Sequence, residues 1–206
     1  MIRHRSFIVV AALAALLVGR DALAGAPTEQ LRSAVDRVIK TLDDPAMKAE
    51  GKAVERRGAV RKIANEIFAW DETAKRALAR HWQARTETQR QEFVKLFGDL
   101  LERSYIARIE NYGGEKITYL SDSVEDETAM VRTKIVTKQG SEVPVDYRML
   151  RRGDRWLVYD VVIEGVSLVS NYRTQFNKII QTSSYEELVK KLKSKQEEFQ
   201  EPKPKA

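Results

Sequence analysis

The chain has 206 residues, with 36 lysines and arginines against 30 aspartates and glutamates, two histidines and no cysteine. That length predicts one domain, and the missing thiols exclude a disulfide framework, a thiolate nucleophile, Cys-ligated zinc and iron–sulfur clusters. His4 falls in a leader, so His81 stands alone and multi-histidine metal sites are excluded too, while 43% hydrophobic and 32% charged residues suit a chain that buries a core.

Residues 1–24 read as a cleavable secretory signal. Arg3, His4 and Arg5 form a basic start, residues 7–18 an unbroken apolar run, Gly19 a break, and Ala22-Leu23-Ala24 the small-x-small cleavage pattern. The run is too short to cross a hydrocarbon core of ~30 Å, and no cysteine follows to carry a lipid anchor. Cleavage takes away three arginines and one aspartate, so the +6 of the full chain becomes +4 over 182 residues. That surplus is too small to imply nucleic acid. It suits docking on an acidic partner or an anionic membrane surface.

No later stretch approaches eighteen apolar residues, so the exported chain is expected to be soluble. Thr28 is placed to cap a first helix with Leu31, Val35, Val38, Ile39 and Leu42 on one stripe, ended by Asp43-Asp44-Pro45. A more polar helix is predicted over 53–68, with Val60, Ile63, Ala64 and Ile67 on one side. Asp71 is placed to cap a third, through Ala74, Leu78 and Trp82. Thr86 with Gln89 forms a capping box that opens a long helix to about Asn111, and Gly113-Gly114 stops it.

The period then changes from 3.6 to 2. Four strands are predicted, at 116–124, 128–138, 142–151 and 155–164, with breaks short enough for hairpins, hence an antiparallel meander. The fourth is apolar on both faces, so it is expected to be central or covered on both sides. After Gly165, Ser167 is placed to cap a helix bearing Leu168, Tyr172, Phe176 and Ile179, and Ser184 with Glu187 opens another through Leu192. The charged tail, 193–206, is expected to fray. The fold class is α+β, with a single domain over 25–192 and helices packed on the concave face of a twisted four-stranded sheet. Such an arrangement encloses either a plain core or an apolar pocket.

His81 has no evident nucleophile or orienting partner and reads as structural. Arg152-Gly153-Asp154 reads as a hairpin turn. Asp160 interrupts the most apolar strand and must find hydrogen-bond donors. One reading makes it the general base of an isomerase-like pocket enzyme, with Tyr147 or Tyr159. The other has it pair with Arg148 or Arg173 or cap backbone amides, and that structural role is favoured. The remaining feature is apolar excess: Phe97, Leu101 and Tyr105 on the long helix, the strand residues, then Val166, Val169, Tyr172 and Phe176. A core and a lipid site are built from the same residue types. Burying one CH₂ is worth about 0.8 kcal/mol, so acyl chains need no charged clamp.

The segment Trp156-Leu157-Val158-Tyr159-Asp160-Val161-Val162-Ile163-Glu164-Gly165-Val166-Ser167-Leu168-Val169-Ser170-Asn171-Tyr172-Arg173-Thr174-Gln175-Phe176 resembles the hallmark of the MlaC family. Upstream, Thr86-x-x-Gln89-Arg90-x-x-Phe93-x-x-x-Phe97 and Val145-x-Tyr147-x-Met149 agree. The resemblance implies a twisted antiparallel sheet and helices around a deep apolar pocket, and a non-enzymatic periplasmic protein without cofactor that carries phospholipid as cargo. Its implied partners are an outer-membrane lipoprotein complex and an inner-membrane ABC transporter with a substrate-ring protein. A related branch would carry a hopanoid. Phe97, Leu101, Tyr105, Val145, Tyr147, Met149 and Phe176 are then expected to touch lipid, with Val161, Ile163, Val166, Val169 and Tyr172 at the pocket mouth. Asp160, Glu164, Gly165, Ser167, Asn171 and Arg173 are expected to hold the turn from sheet to helix. Which strand face points inward depends on register, because a one-residue slip exchanges the faces.

Overall fold

A computed structural model describes residues 26–110 and 112–198, so the leader and the end of the tail lie outside the described residues. Helix α1 spans Ala26–Asp43, followed by the single turn α2 (Pro45–Lys48), α3 (Ala53–Ile67), α4 (Trp70–Leu78) and the long α5 (Glu87–Glu110). The strands are β1 (Lys116–Glu125), β2 (Thr128–Val136), β3 (Glu142–Arg152), β4 (Arg155–Ile163) and β5 (Val166–Ser167), and α6 (Leu168–Thr182) and α7 (Tyr185–Glu198) complete the chain. The sheet is an antiparallel meander in the order β1-β2-β3-β4-β5.

Five strands rather than four is the first correction. Glu164 (φ +49°) and Gly165 (φ +80°) both adopt the left-handed region, the requirement of a two-residue type I′ hairpin. The chain therefore folds back on β4, pairing Ile163 with Val166 and Val162 with Ser167, before α6 begins. Two residues are too few for an alternating pattern to register in the sequence.

Several helix ends also differ from expectation. α1 begins before Thr28, whose hydroxyl donates to Asp122 on β1 at 2.8 Å instead of capping. α4 starts at Trp70, and Asp71 in its first turn takes Arg152 from the β3–β4 hairpin at 2.7 Å. The helix stops short of Trp82 because Ala79 turns to φ +47°, and a 3₁₀ turn, Ala79–His81, follows. The Thr86–Gln89 capping box forms in both directions, at 3.0 and 3.2 Å. α7 continues past Leu192 to Glu198, where Lys193 pairs with Glu92 at 2.7 Å and Gln196 donates to Asp99 at 2.7 Å. The rest of the tail expected to fray lies outside the described residues. Buried Asp99 also takes Arg61, so one carboxylate on α5 clasps both α3 and α7.

Two separate apolar clusters result. One lies among α4, α5, α6 and α7 and is built on Phe93, Phe97, Leu101, Val169, Phe176 and Leu188. The other lies between α1 and one face of the sheet, where Leu31 meets Ala129, Val131, Met149, Trp156 and Val158. Helices are therefore not confined to one concave face. The cause is a bulge in β4: Val158 stands opposite Met149, but Asp160 stands opposite Arg148. The extra residue, Tyr159, moves the even-numbered side chains of β4 from one face to the other. Trp156 and Val158 then pack under α1, while Asp160 reaches α6. A parallel bridge from Phe68 covers the free edge of β4 at Val158, with Ala69 donating to the Val158 carbonyl at 2.8 Å. This is how a strand apolar on both faces is covered on both.

Candidate functional site

Register settles which strand residues share a face. Val145 pairs with Ile163, Tyr147 with Val161 and Met149 with Val158, so the five residues of β3 and β4 expected to touch lipid all lie on the face that α1 partly covers. The same rows continue across the sheet through Thr133 and Val131 to Tyr119 and Asp122 on β1. Val145 and Met149 are buried, whereas Tyr147, Val161 and Ile163 are half-buried. The helix residues on the expected list go elsewhere. Phe97, Leu101, Val169 and Phe176 are buried in the helical cluster, with half-buried Tyr105 and Tyr172 packed against it. Its rings meet edge-on, Phe97 with Tyr172 at 5.2 Å and with Phe176 at 5.1 Å between centroids. Val166 is 57% exposed at the hairpin end.

The expected residues are thus divided between two cores, with the half-buried ones at the margins. Open clefts lie elsewhere on the described residues. One of about 280 Å³ lies against Leu78, His81, Arg173 and Asn177, and one of about 360 Å³ lies along α1 at Arg32, Asp36 and Lys40. Neither is lined by the residues expected to touch lipid. The rings of the helical cluster occupy the space between α5 and α6.

Asp160 is fully engaged in holding the fold. Its Oδ2 accepts from Arg148 at 3.1 Å and from the Ser167 hydroxyl at 2.6 Å, and its Oδ1 accepts from the Val169 amide at 3.1 Å. Ser167 caps α6 at the same time, accepting from the Ser170 amide at 3.0 Å. A carboxylate at a helix N-terminus also gains from the unpaired amides there. Asp160 stands on the opposite face from Tyr147, and the Tyr159 carbonyl accepts from Thr73 while its ring lies under Arg76. The pocket-base reading of Asp160 with either tyrosine fails on this geometry.

Glu164 and Gly165 form the hairpin turn. Arg173 does not pair with Asp160, and its Nε donates instead to the Arg76 carbonyl at 3.0 Å, tying α6 to α4. Asn171 is exposed and accepts from Gln175 one turn along the helix, so it does not hold the turn as expected. His81 lies 3.0 Å from Asn177 Oδ1. Among the described residues, no group of His, Asp and Glu could hold a metal ion.

Sequence reasoning missed Tyr119. A bulge between Tyr119 and Ser121 leaves Leu120 57% exposed and breaks the alternation along β1, so that Tyr119 and Asp122 share the inner face. Burial is the leading cause that pushes the hydroxyls of Tyr119 and Tyr147 up to about 12, and the nearness of Tyr147 adds to the effect on Tyr119.

Fold and site together define an α+β protein that offers apolar interior surface, with its one buried sheet carboxylate committed to the fold. The family model described as MlaC protein matches residues 32–194, and the chain belongs to that family. It is 25% identical over 191 residues to the intermembrane phospholipid transport system binding protein MlaC of Haemophilus influenzae, covering 90% of this chain and 89% of that one. It also resembles the structure of a phospholipid-binding protein from Ralstonia solanacearum in complex with a phospholipid. There the TM-score is 0.75 and the identity 25%, covering 84% of this chain and 98% of the other. No helix among the described residues is long and apolar enough to cross a membrane.

Proposed function

We propose that this chain is a periplasmic carrier that holds phospholipid by its acyl chains and shuttles it between membranes. The observation that carries the reading is the half-buried apolar row Tyr147, Val161 and Ile163, in register with buried Val145 and separate from the helical cluster. Such a surface suits acyl chains, each CH₂ contributing about 0.8 kcal/mol on burial. The names of the Haemophilus and Ralstonia relatives support phospholipid as the cargo. Residues 1–24 supply export, so the working protein acts between the two membranes as a single subunit. Its partners are an outer-membrane lipoprotein complex and an inner-membrane ABC transporter with its substrate-ring protein. The modest positive charge favours brief docking on such membrane-bound partners, because weak, screened attraction speeds encounter without slowing release. No catalytic residue or cofactor takes part.

Native mass spectrometry of protein purified from a membrane-containing host tests the reading. A co-purifying species of phospholipid mass is expected, and a hopanoid mass would reassign the cargo. Protein that stays lipid-free after incubation with phospholipid vesicles would overturn the carrier reading.

A further inference from the structure

Tyr119 poses a problem that the fold leaves unsolved. Its hydroxyl is buried and has no hydrogen-bond partner. A buried unsatisfied hydroxyl is costly, and native proteins keep few of them. No side chain around it meets it with a hydrogen bond. Thr133, directly opposite on β2, already gives its hydroxyl to the Val145 carbonyl at 2.6 Å. Arg32 lies over the ring at 4.2 Å as a cation on a π face, and a guanidinium accepts no hydrogen bond. On the nearest rows of the face, Val131, Val145 and Val161 are apolar, Tyr147 brings another phenol, and Asp122 already accepts from the Thr28 hydroxyl at 2.8 Å.

The hydroxyl lies on the sheet face proposed to hold acyl chains, and it is a donor without an acceptor. In a glycerolipid, the ester carbonyls are the acceptors nearest the chains, lying between the apolar tails and the charged head group. We propose that the Tyr119 hydroxyl donates a hydrogen bond to an ester carbonyl of the bound lipid, which makes this residue a determinant of selectivity for ester-linked diacyl lipids. The proposal rests on the carrier reading and deepens it. It adds a preference against lipids of equal hydrophobicity that lack a carbonyl, such as ether-linked analogues or polycyclic hydrocarbons.

The test loads the lipid-free protein from vesicles containing equal amounts of ester-linked and ether-linked phosphatidylethanolamine with the same chain lengths, read by native mass spectrometry. The wild type is expected to take the ester lipid about fivefold over the ether lipid, the ratio set by one neutral hydrogen bond. Tyr119→Phe should bring the ratio to about one. Without lipid, Tyr119→Phe should melt at or slightly above the wild-type temperature, since it removes an unsatisfied group. Equal loading of the two lipids by the wild type overturns the proposal whatever the variant does, and leaves the carrier reading intact. A preference retained in Tyr119→Phe overturns it as well. Failure to load either lipid overturns both readings.

Discussion

Asp160 shows how one buried polar side chain can join two layers of a protein. Its three hydrogen bonds come from β3, from the cap of α6 and from the first turn of α6, so the sheet and the helical cluster share one anchor. Asp160→Asn keeps the shape but loses the charge that holds Arg148 and strengthens the bond from Ser167. The expected result is a folded protein destabilised by about 1–3 kcal/mol, measured by urea unfolding, with lipid loading unchanged. Loss of loading in a folded variant would return Asp160 to the functional site. The buried phenols make a second expectation. The hydroxyls of Tyr119, Tyr147 and Tyr185 are pushed from 10 to about 12, mainly by burial. The unfolded chain loses these protons near pH 10 while the folded chain keeps them, so stability is fully present below pH 10 and falls as pH rises towards 12. Urea midpoints measured across that window should decline, and less steeply in Tyr147→Phe. An equal slope in the variant would show that Tyr147 contributes nothing to the decline.

The elements that position the site are set by local backbone chemistry. The hairpin Ile163-Glu164-Gly165-Val166 needs two left-handed residues, and glutamate is a poor choice for the first. Glu164→Asn should raise stability by about 0.5–1 kcal/mol, seen as a higher thermal midpoint; a lower midpoint would show that the exposed carboxylate has a role its contacts do not reveal. The bulge at Tyr159 has the larger consequence. By moving even-numbered side chains between faces it lets a single strand contribute Trp156 and Val158 to one core and Asp160 to the other. Without the bulge, Val161 and Ile163 would leave the face of Val145 and Tyr147, and the proposed lipid surface would not exist.

Taken whole, the protein keeps its apolar interior in two parts, and the proposed lipid surface belongs to the part between α1 and the sheet. Lipid binding should therefore stabilise the folded chain by mass action. Protein stripped of lipid in detergent and returned to buffer is expected to melt several degrees below the loaded protein, and added phospholipid vesicles should restore the midpoint. Identical midpoints with and without added lipid would mean that the folded chain does not bind it. Much of this architecture was legible along the chain. The 3.6-to-2 change of period near residue 115, the Thr86–Gln89 capping box and the Ser167 cap all depend on neighbours within a few residues. The tryptophan-to-phenylalanine signature from Trp156 carried the family, which the match over 32–194 bears out.

Other features could not be read in advance, and they share a cause. The two-residue strand β5, the two bulges, the clasp of Asp99 on α3 and α7, and the orphan hydroxyl of Tyr119 all depend on partners distant in sequence. Composition and spacing were enough for the fold class and for the poverty of reactive side chains, because those follow from residue types and local periodicity. Which face of the sheet turns inward, and which polar groups on it stay unpaired, followed only from the packed chain. A single inserted residue reverses a strand's faces at little local cost, and only long-range packing selects where it goes.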